Sequence, residues 1–299
     1  MKIALTGGTG FIGRYIIDHL VQSGHSLRCW YRNALTRPTT CESVEWIEGD
    51  LQSGESSAAL VAGCDAIIHN AFWKPGVRFQ GEEGDIVQFV QTNVIGSLKL
   101  IEAAIAAGLG KFVFVSSCSV HEKILSDREL DEAHPLWPTS HYGAHKAAIE
   151  NFIHSYGRGH GFDICAIRPT GVYGLHHTAP HSKWYDLIQR VVNGEDVECR
   201  KGGKEVHAAD VARSIQLLLG QAGTAGEIYA CYDRYVSQYE VASLAREICG
   251  SNARIDGEPT LPRHEINASK IRGLGMHFGG DDRLRQTIEQ IIKSISCVN

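Results

Sequence analysis

A strand that runs straight into a glycine-rich turn and then a helix constrains this chain more than any other stretch. Lys2 to Gly13 reads KIALTGGTGFIG. Ile3, Ala4 and Leu5 are an apolar run of strand length, Gly7, Gly10 and Gly13 follow, and Arg14–Leu20 reads as the body of a helix. Such a turn lets backbone approach a pyrophosphate and sets it at a helix N-terminus, where free N–H groups and the helix dipole favour negative charge. The spacing is GxxGxxG rather than GxGxxG. A glycine pattern alone is a weak signal, and an ordinary strand–helix turn is the competing reading. The place after a strand and before a helix gives the pattern its meaning. Gly7, Thr9, Gly10, Phe11, Ile12 and Gly13 are the expected contacts of a dinucleotide.

The second strand, Leu27–Tyr31, ends where a dinucleotide fold meets the adenosine ribose. An acid there accepts from the 2′-hydroxyl and selects NAD. This chain has Tyr31 and then Arg32, and no acid lies between Gly24 and Cys41. A guanidinium pairs bidentately with a 2′-phosphate that a carboxylate repels, so NADP is the expected cofactor with Arg32 as its reader. The alternative is a solvated Arg32 and NAD. A third strand, Val44–Ile47, leads to Gly49-Asp50-Leu51, which places Asp50 at a strand's carboxyl end, in reach of the adenine amino group. A fourth, Ala66–His69, is followed by Asn70 and Ala71, small enough for close approach to the cofactor.

Strand and helix alternate throughout this half. Helices are read at Ala58–Ala62 and Ile86–Ala107, with an irregular loop over Phe72–Gly84. Lys111–Ser116 is a continuous Phe/Val run, as a strand buried on both faces requires. Five alternations with no long linker or internal repeat imply an α/β fold with a parallel, doubly wound, Rossmann-type sheet.

Chemistry concentrates after the fifth strand. Ser116-Ser117-Cys118-Ser119 leaves its carboxyl end, and Tyr142-Gly-Ala-His-Lys146 follows. Residues i and i+4 share a helix face, so the ammonium lies beside the phenol. A free tyrosine titrates near pH ~10, and bringing it near neutrality takes about three units, roughly 4 kcal/mol. The ammonium and an oxidised nicotinamide are expected to lower Tyr142 in a dry site. Tyr142 then shuttles a proton at a substrate oxygen, Ser117 hydrogen-bonds that oxygen, and Lys146 also holds the nicotinamide ribose. A YxxxK pair alone reads equally as a surface helix; its place behind a nucleotide turn and a serine-rich strand end favours catalysis.

Composition excludes other classes. The net charge of −5 over 299 residues argues against nucleic acid or anionic membrane as partners. No apolar run reaches the roughly 18 residues of a membrane span. Met1 leads directly into a strand, so no secretory signal is expected and the cytoplasm is the expected compartment. The 9 cysteines are odd in number, with no CxxC pair, so free thiols are expected and no disulfide or metal site. His176, His177 and His181 lack the fixed partners of a metal frame and read as loop or surface polar groups.

Together these motifs make the chain resemble the short-chain dehydrogenase/reductase superfamily in its extended branch, the NAD(P)-dependent epimerase/dehydratase family. The resemblance rests on Thr6–Gly13, Gly49-Asp50-Leu51, Asn93, Ser116-Ser117, Tyr142 with Lys146, and Arg168-Pro169-Thr170-Gly171-Val172-Tyr173-Gly174. It continues through Val206–Ala212 and Ser269-Lys270 with Leu274-Gly275, so it spans nearly the whole chain. It implies a catalytic set of Ser117, Tyr142 and Lys146, with Asn93 holding a helix irregularity or a water near the lysine. It implies cofactor contacts that include Arg168 and Pro169, a sugar or nucleotide-sugar substrate, and a homodimer through the helices carrying Asn93 and Tyr142. The chain departs from the family's dehydratases, which resemble one another in an Asp-Glu pair directly after the catalytic hydroxyl. Cys118-Ser119 stand there, and His121-Glu122 replace the usual Tyr-Gly. A 4,6-dehydratase is therefore not expected, although Glu122 is still read as an available loop acid or base.

The expected organisation is a dinucleotide-binding domain over 1–170 and a smaller substrate-binding lobe over 171–299, with a segment near 206–232 returning to the sheet. The expected reaction is hydride transfer at a carbinol or ketone carbon of a sugar, nucleotide-sugar or small carbonyl compound. An epimerase with tightly held NAD is the first alternative. A non-catalytic NADP-sensing regulator is the second, disfavoured because Tyr142 and Lys146 are both present.

Overall fold

The computed structural model describes residues 1–33, 42–76, 81–82 and 84–296. In chain order the elements are β1 (Lys2–Thr6), α1 (Phe11–Gln22), β2 (Ser26–Tyr31), β3 (Val44–Glu48), α2 (Gly54–Val61), β4 (Ala66–His69), α3 (Ile86–Val90), α4 (Gly96–Ala106), β5 (Lys111–Val115), α5 (His141–His154) and β6 (Ile164–Pro169). They continue with β7 (Gly171–Tyr173), α6 (Tyr185–Val192), β8 (Val197–Cys199), β9 (Gly202–His207), α7 (Ala208–Gly220), β10 (Ile228–Cys231), β11 (Arg234–Ser237), α8 (Gln238–Cys249), β12 (Ile255–Gly257), α9 (Ser269–Gly273) and α10 (Gly280–Ser296). Two compact units result. One comprises Met1–Pro169, Val211–Cys231 and Asn267–Met276, the other Thr170–Asp210, Tyr232–Ile266 and His277–Asn299.

The first unit is built on a 7-stranded sheet in the order β10-β6-β5-β4-β1-β2-β3. Every pairing in it is parallel. The chain steps outward from β1 through β2 to β3, then returns to the other side of β1 with β4. The order therefore reverses between β1 and β4, and ligands of open α/β sheets bind outside the strand carboxyl ends at such a point. On β5, Phe112, Val113 and Phe114 are fully buried, as expected of a strand covered on both faces. Each fully buried Phe or Val contributes about 1.5–3 kcal/mol of burial free energy. Helix α1 buries Gly13, Ile16 and Leu20 along one stripe and exposes Asp18 and Gln22, one turn apart, on another.

One sequence expectation changes shape here. The helix read over Ile86–Ala107 is α3 and α4 joined by a π turn at Gln91–Ile95. Asn93 sits in that turn, fully buried, and its side chain is bonded to backbone outside the helix. Gly96 then starts α4 against the loop after β3, where a Cβ would come within 2.4 Å of Leu51 O. Apolar periodicity shows that a helix exists; it does not report a turn widened by a polar side chain. Of the loop read over 72–84, residues 77–80 and 83 lie outside the described ones.

The second unit has a 3-stranded sheet, β11-β9-β7, and a 2-stranded one, β12-β8. Its core packs Ile188 and Val191 of α6 with Val241 and Ala245 of α8 and with Leu284, Ile288 and Ile291 of α10. Gly171–Tyr173, part of the motif that carries the family resemblance, is a strand paired in parallel with β9. Three residues are too few to show a period, so only the pairing partner makes them a strand.

Candidate active site

Gly7 adopts φ 72°, and a Cβ there would stand 2.8 Å from the carbonyl group of Asn70. A Cβ on Gly13 would stand 2.1 Å from Gly7 O. Both positions are closed to any other residue by hard contact with backbone, and Gly7 also by conformation. Gly10 N donates to Gly7 O at 3.1 Å, closing the turn. Gly10 is the N-cap of α1 and makes no side-chain cap hydrogen bond, and a helix N-terminus of this kind favours an anion. Phe11 and Ile12 open the helix, and Thr9 precedes it. The turn thus has the cradle that a pyrophosphate requires.

The opposite wall is Asn70-Ala71, after β4. Asn70 N and Ala71 N both donate to Thr6 Oγ1, at 3.1 and 3.0 Å, and Asn70 Nδ2 donates to Gly7 O. Thr6 lies 2.8 Å from His69 Nδ1, and His69 Nε2 lies 2.8 Å from Ser97 Oγ. Thr6 Oγ1 already accepts twice, so its proton goes to Nδ1 and the ring carries hydrogen on Nε2. Ser97 Oγ passes the chain on to Asn93 O at 2.5 Å. Burial, helped by the nearby Lys146 charge, holds His69 down at about 3. Sequence reading missed this buried relay; a histidine ending an otherwise apolar strand was its only signal.

At the adenosine end, Tyr31 closes β2 half-buried and Arg32 follows it, exposed. Asp50 Oδ1 accepts from Gln52 N and Ser53 N at 2.8 and 3.1 Å, so the carboxylate shapes its own turn. Leu51 is buried beside Gly96.

The structure brings Ser117, Tyr142 and Lys146 together. Ser140 caps α5 by accepting from Gly143 N at 3.0 Å, which fixes the frame of the helix. Gly143 is tight against the segment after β5, where a Cβ would fall 2.4 Å from Ser119 O. Tyr142 then stands over that segment, with Ser117 the side chain that acts on its hydroxyl. Its ring packs edge-on to Phe72 at 5.0 Å, and Phe72 stacks on His145 at 5.3 Å. Lys146 is buried, with Nζ 2.8 Å from Val115 O, 4.5 Å from the Phe114 ring centroid and 5.8 Å from that of Tyr142.

Burial dominates the acid–base chemistry of these groups. It pushes the Tyr142 phenol above the ordinary tyrosine value, with the Ser117 hydrogen bond pulling the other way. It pulls Lys146 from 10.5 down to about 7, with Glu150 working in opposition. Acidification of Tyr142, expected from sequence, is therefore not what these side chains produce by themselves. A charge worth a unit or two on a helix surface is outweighed when both partners leave water.

Asn93 spends its amide on backbone. Oδ1 accepts from Trp73 N at 2.8 Å, and Nδ2 donates to Trp73 O and Phe89 O. It fastens the loop after β4 to the π turn. Arg168, expected at the cofactor, buries its guanidinium on Glu150, with Nη2 2.7 Å from Oε2 and Nε 3.0 Å from Oε1, and Pro169 ends the strand after it. Glu122 is committed as well: Ser140 N, Ser140 Oγ, Thr139 N and Thr139 Oγ1 all donate to it. Burial opposes its charge, yet these bonds hold its carboxyl below the usual range. Cys118 Sγ donates to Arg168 O at 3.1 Å. His176, His177 and His181 cluster with ring centroids 3.9 and 5.3 Å apart. Among the described residues no three His, Cys, Asp or Glu side chains are grouped to hold a metal.

A doubly wound sheet, a glycine cradle at its crossover point and a Tyr–Lys pair beside a serine define a dinucleotide-dependent oxidoreductase scaffold. The family model described as NAD dependent epimerase/dehydratase matches residues 3–231, and the chain belongs to that family. A dTDP-glucose 4,6-dehydratase of Streptomyces niveus is 28% identical over 321 residues, covering 97% of this chain and 92% of that protein. The structure of DesIV, a dTDP-glucose 4,6-dehydratase from Streptomyces venezuelae with NAD bound, is 25% identical with a TM-score of 0.78, covering 99% of this chain and 98% of that one. The UDP-glucose 4-epimerase of Thermus thermophilus, in complex with NAD, shares the fold at a TM-score of 0.77 and 23% identity, covering 97% of this chain and 99% of that one. Among the described residues no helix is long and apolar enough to cross a membrane.

Proposed function

We propose that this protein transfers hydride at a carbinol or ketone carbon of a sugar nucleotide, with Tyr142 as the proton donor and acceptor. The observation that carries the reading is the convergence of the Tyr142 and Ser117 hydroxyls beside the buried Lys146 ammonium. A nicotinamide dinucleotide bound there supplies the hydride acceptor or donor and, when oxidised, a positive charge. Gly7, Thr9, Gly10, Phe11, Ile12 and Gly13 hold its phosphates; Asn70 and Ala71 wall it; Asp50 and Leu51 face its adenine. Ser117 donates to the substrate oxygen, Tyr142 moves the proton at that oxygen, and Lys146 keeps positive charge next to the phenol. The sugar nucleotide as substrate is supported by the relatives named for dTDP-glucose and UDP-glucose.

Dehydrogenase or reductase is the reading we favour over water elimination. The relatives named as 4,6-dehydratases point the other way. Against elimination stand Cys118 and Ser119 where that reaction's carboxyl pair is expected, and Glu122 with its oxygens taken up by Thr139 and Ser140. Epimerisation requires no further acid and is the second reading. NADP is supported by Arg32 after β2 and by the lack of an acid at that strand end; NAD is supported by the NAD bound in similar structures. A homodimer is supported by apolar side chains left in solvent on α3 and α5, with Val87 at 74% and Phe152 at 41% exposure. The cytoplasm is supported by the described cysteines, none of which forms a disulfide.

The experiment is incubation with dTDP-glucose or UDP-glucose and NAD or NADP, followed by mass spectrometry of the sugar nucleotide. Loss of two hydrogens with reduced nicotinamide formed is the expected result. Loss of water would establish a dehydratase, an unchanged mass with inverted stereochemistry an epimerase, and no reaction with any pair would overturn the substrate class.

A further inference from the structure

Behind the Tyr142–Lys146 pair lies a second buried charge that the proposed chemistry does not use. Tyr142, Lys146 and Glu150 occupy successive turns of one face of α5. Glu150 is wholly buried and Arg168, on β6, is 2% exposed. The guanidinium grips the carboxylate with Nη2 at 2.7 Å from Oε2 and Nε at 3.0 Å from Oε1. Ser116 Oγ, at the end of β5, donates to Glu150 Oε1 at 2.5 Å. Ser116 lies between Val115, whose carbonyl accepts from Lys146 Nζ, and Ser117, which acts on the Tyr142 hydroxyl. Outside the pair, Arg168 Nη1 meets His121 Nε2 and Glu132 O, each at 3.3 Å.

A buried ion pair of this kind gives little net stability, because desolvation of both charges offsets their attraction. Its geometry offers something else. We propose that Glu150, clamped by Arg168, is a positioning residue: it seats the end of β5 under Tyr142 through Ser116 and holds a negative charge one turn from Lys146. That charge keeps the ammonium protonated against the burial that works to discharge it. The groups facing Lys146 are Tyr142 and His145 from α5, His69 from β4 and Glu150 itself, with Arg168 behind Glu150. His69 and His145 are both held neutral by burial, so Glu150 is the anion among them. The inference rests on Lys146 serving the site as proposed above.

The test is titration of Lys146 by NMR in protein carrying 13C-labelled lysine, with the resonance assigned by its loss in Lys146→Arg. Glu150→Gln is expected to lower the midpoint by about one pH unit, a tenfold loss of proton affinity. Glu150→Asp, which keeps the charge, is expected to stay near the wild type. A folded Glu150→Gln with an unmoved midpoint overturns the proposal, as does an equal shift in Glu150→Asp. If Glu150→Gln does not fold, Glu150→Leu combined with Arg168→Met removes both charges without stranding either; a downward shift is still required of it, smaller than that of Glu150→Gln because the Arg168 cation leaves with the anion, and an unmoved midpoint overturns the proposal. The titration needs no substrate, so its failure is separable from failure of the proposed reaction, which Tyr142→Phe turnover reads.

Discussion

Lys146 and Tyr142 stand one helical turn apart with Nζ 5.8 Å from the phenol centroid, yet the hydrogen bond of the ammonium goes to Val115 O rather than to the phenol. The ammonium is thus fastened to the end of β5, and in the proposed reaction it serves the tyrosine only as a nearby charge. Removing the phenol proton therefore tests the site more cleanly than removing the charge. Tyr142→Phe is expected to lower turnover by about 10²–10⁴-fold, the range of positioned acid–base catalysis. Dinucleotide affinity, followed by fluorescence of the reduced nicotinamide, should change little. Retained turnover would remove Tyr142 from the chemistry.

Gly13→Ala tests the cradle. The added methyl would stand 2.1 Å from Gly7 O, so the turn or the start of α1 must move. We expect a loss of stability of about 1–3 kcal/mol, as for other forced overpacking, and loss of dinucleotide binding. Thermal unfolding and calorimetric titration with NAD and NADP check the two parts. Binding at wild-type affinity would show that the turn does not carry the phosphates.

Arg32→Ala separates the two cofactors. A charge-assisted hydrogen bond to a 2′-phosphate is worth about 1.5–3 kcal/mol, so NADP affinity should fall roughly 10–150-fold. NAD affinity should stay within about twofold by the same reasoning. Equal effects on both dinucleotides would assign Arg32 to solvent.

Two histidines of the first unit predict how stability depends on pH. Burial holds His69 at about 3, and burial with Arg168 holds His121 at about 3. An unfolded histidine binds its proton near pH ~6.5, so between there and ~3 the unfolded chain carries more protons. Stability then rises with pH across that window: it is fully present above ~6.5 and is lost as the solution is acidified. Denaturant midpoints from pH 7 down to 4 should fall accordingly, and less steeply in His121→Gln. A flat profile would mean that these rings are solvated.

The apolar side chains on α3 and α5 predict an oligomer. Val87→Asp together with Phe152→Asp should convert a dimer to a monomer without lowering the melting temperature of the monomeric unit. Sedimentation at several concentrations checks this, and a wild-type monomer at all of them would refute it.

Much of the first unit was legible in the sequence because its signals are local. The strand–turn–helix at Lys2–Gly13, the Phe/Val run of β5 and the YxxxK spacing each state their structure within a dozen residues. The short strands β7, β11 and β12 were not legible: unlike the buried apolar run of β4 they mix glycine or polar residues with apolar ones, and only a partner strand defines them. The same holds for polar side chains. Glu150 and Arg168 are 18 residues apart and become an ion pair only because β6 lies beside β5 under α5. Glu122 reads in sequence as an available acid, and the fold spends it on the start of α5.

The sequence by itself determined the parallel α/β sheet, the place of the dinucleotide turn and the three side chains that meet at Ser117, Tyr142 and Lys146. Local patterns taken in their order along the chain specify these: a glycine turn between strand and helix, apolar strand runs, and a YxxxK pair behind a serine-rich strand end. Tertiary structure alone decided which charges are buried, which partners hold them and how far each titrates from its ordinary value. Desolvation depends on every element packed around a group, and that enclosure is written nowhere in the neighbouring residues.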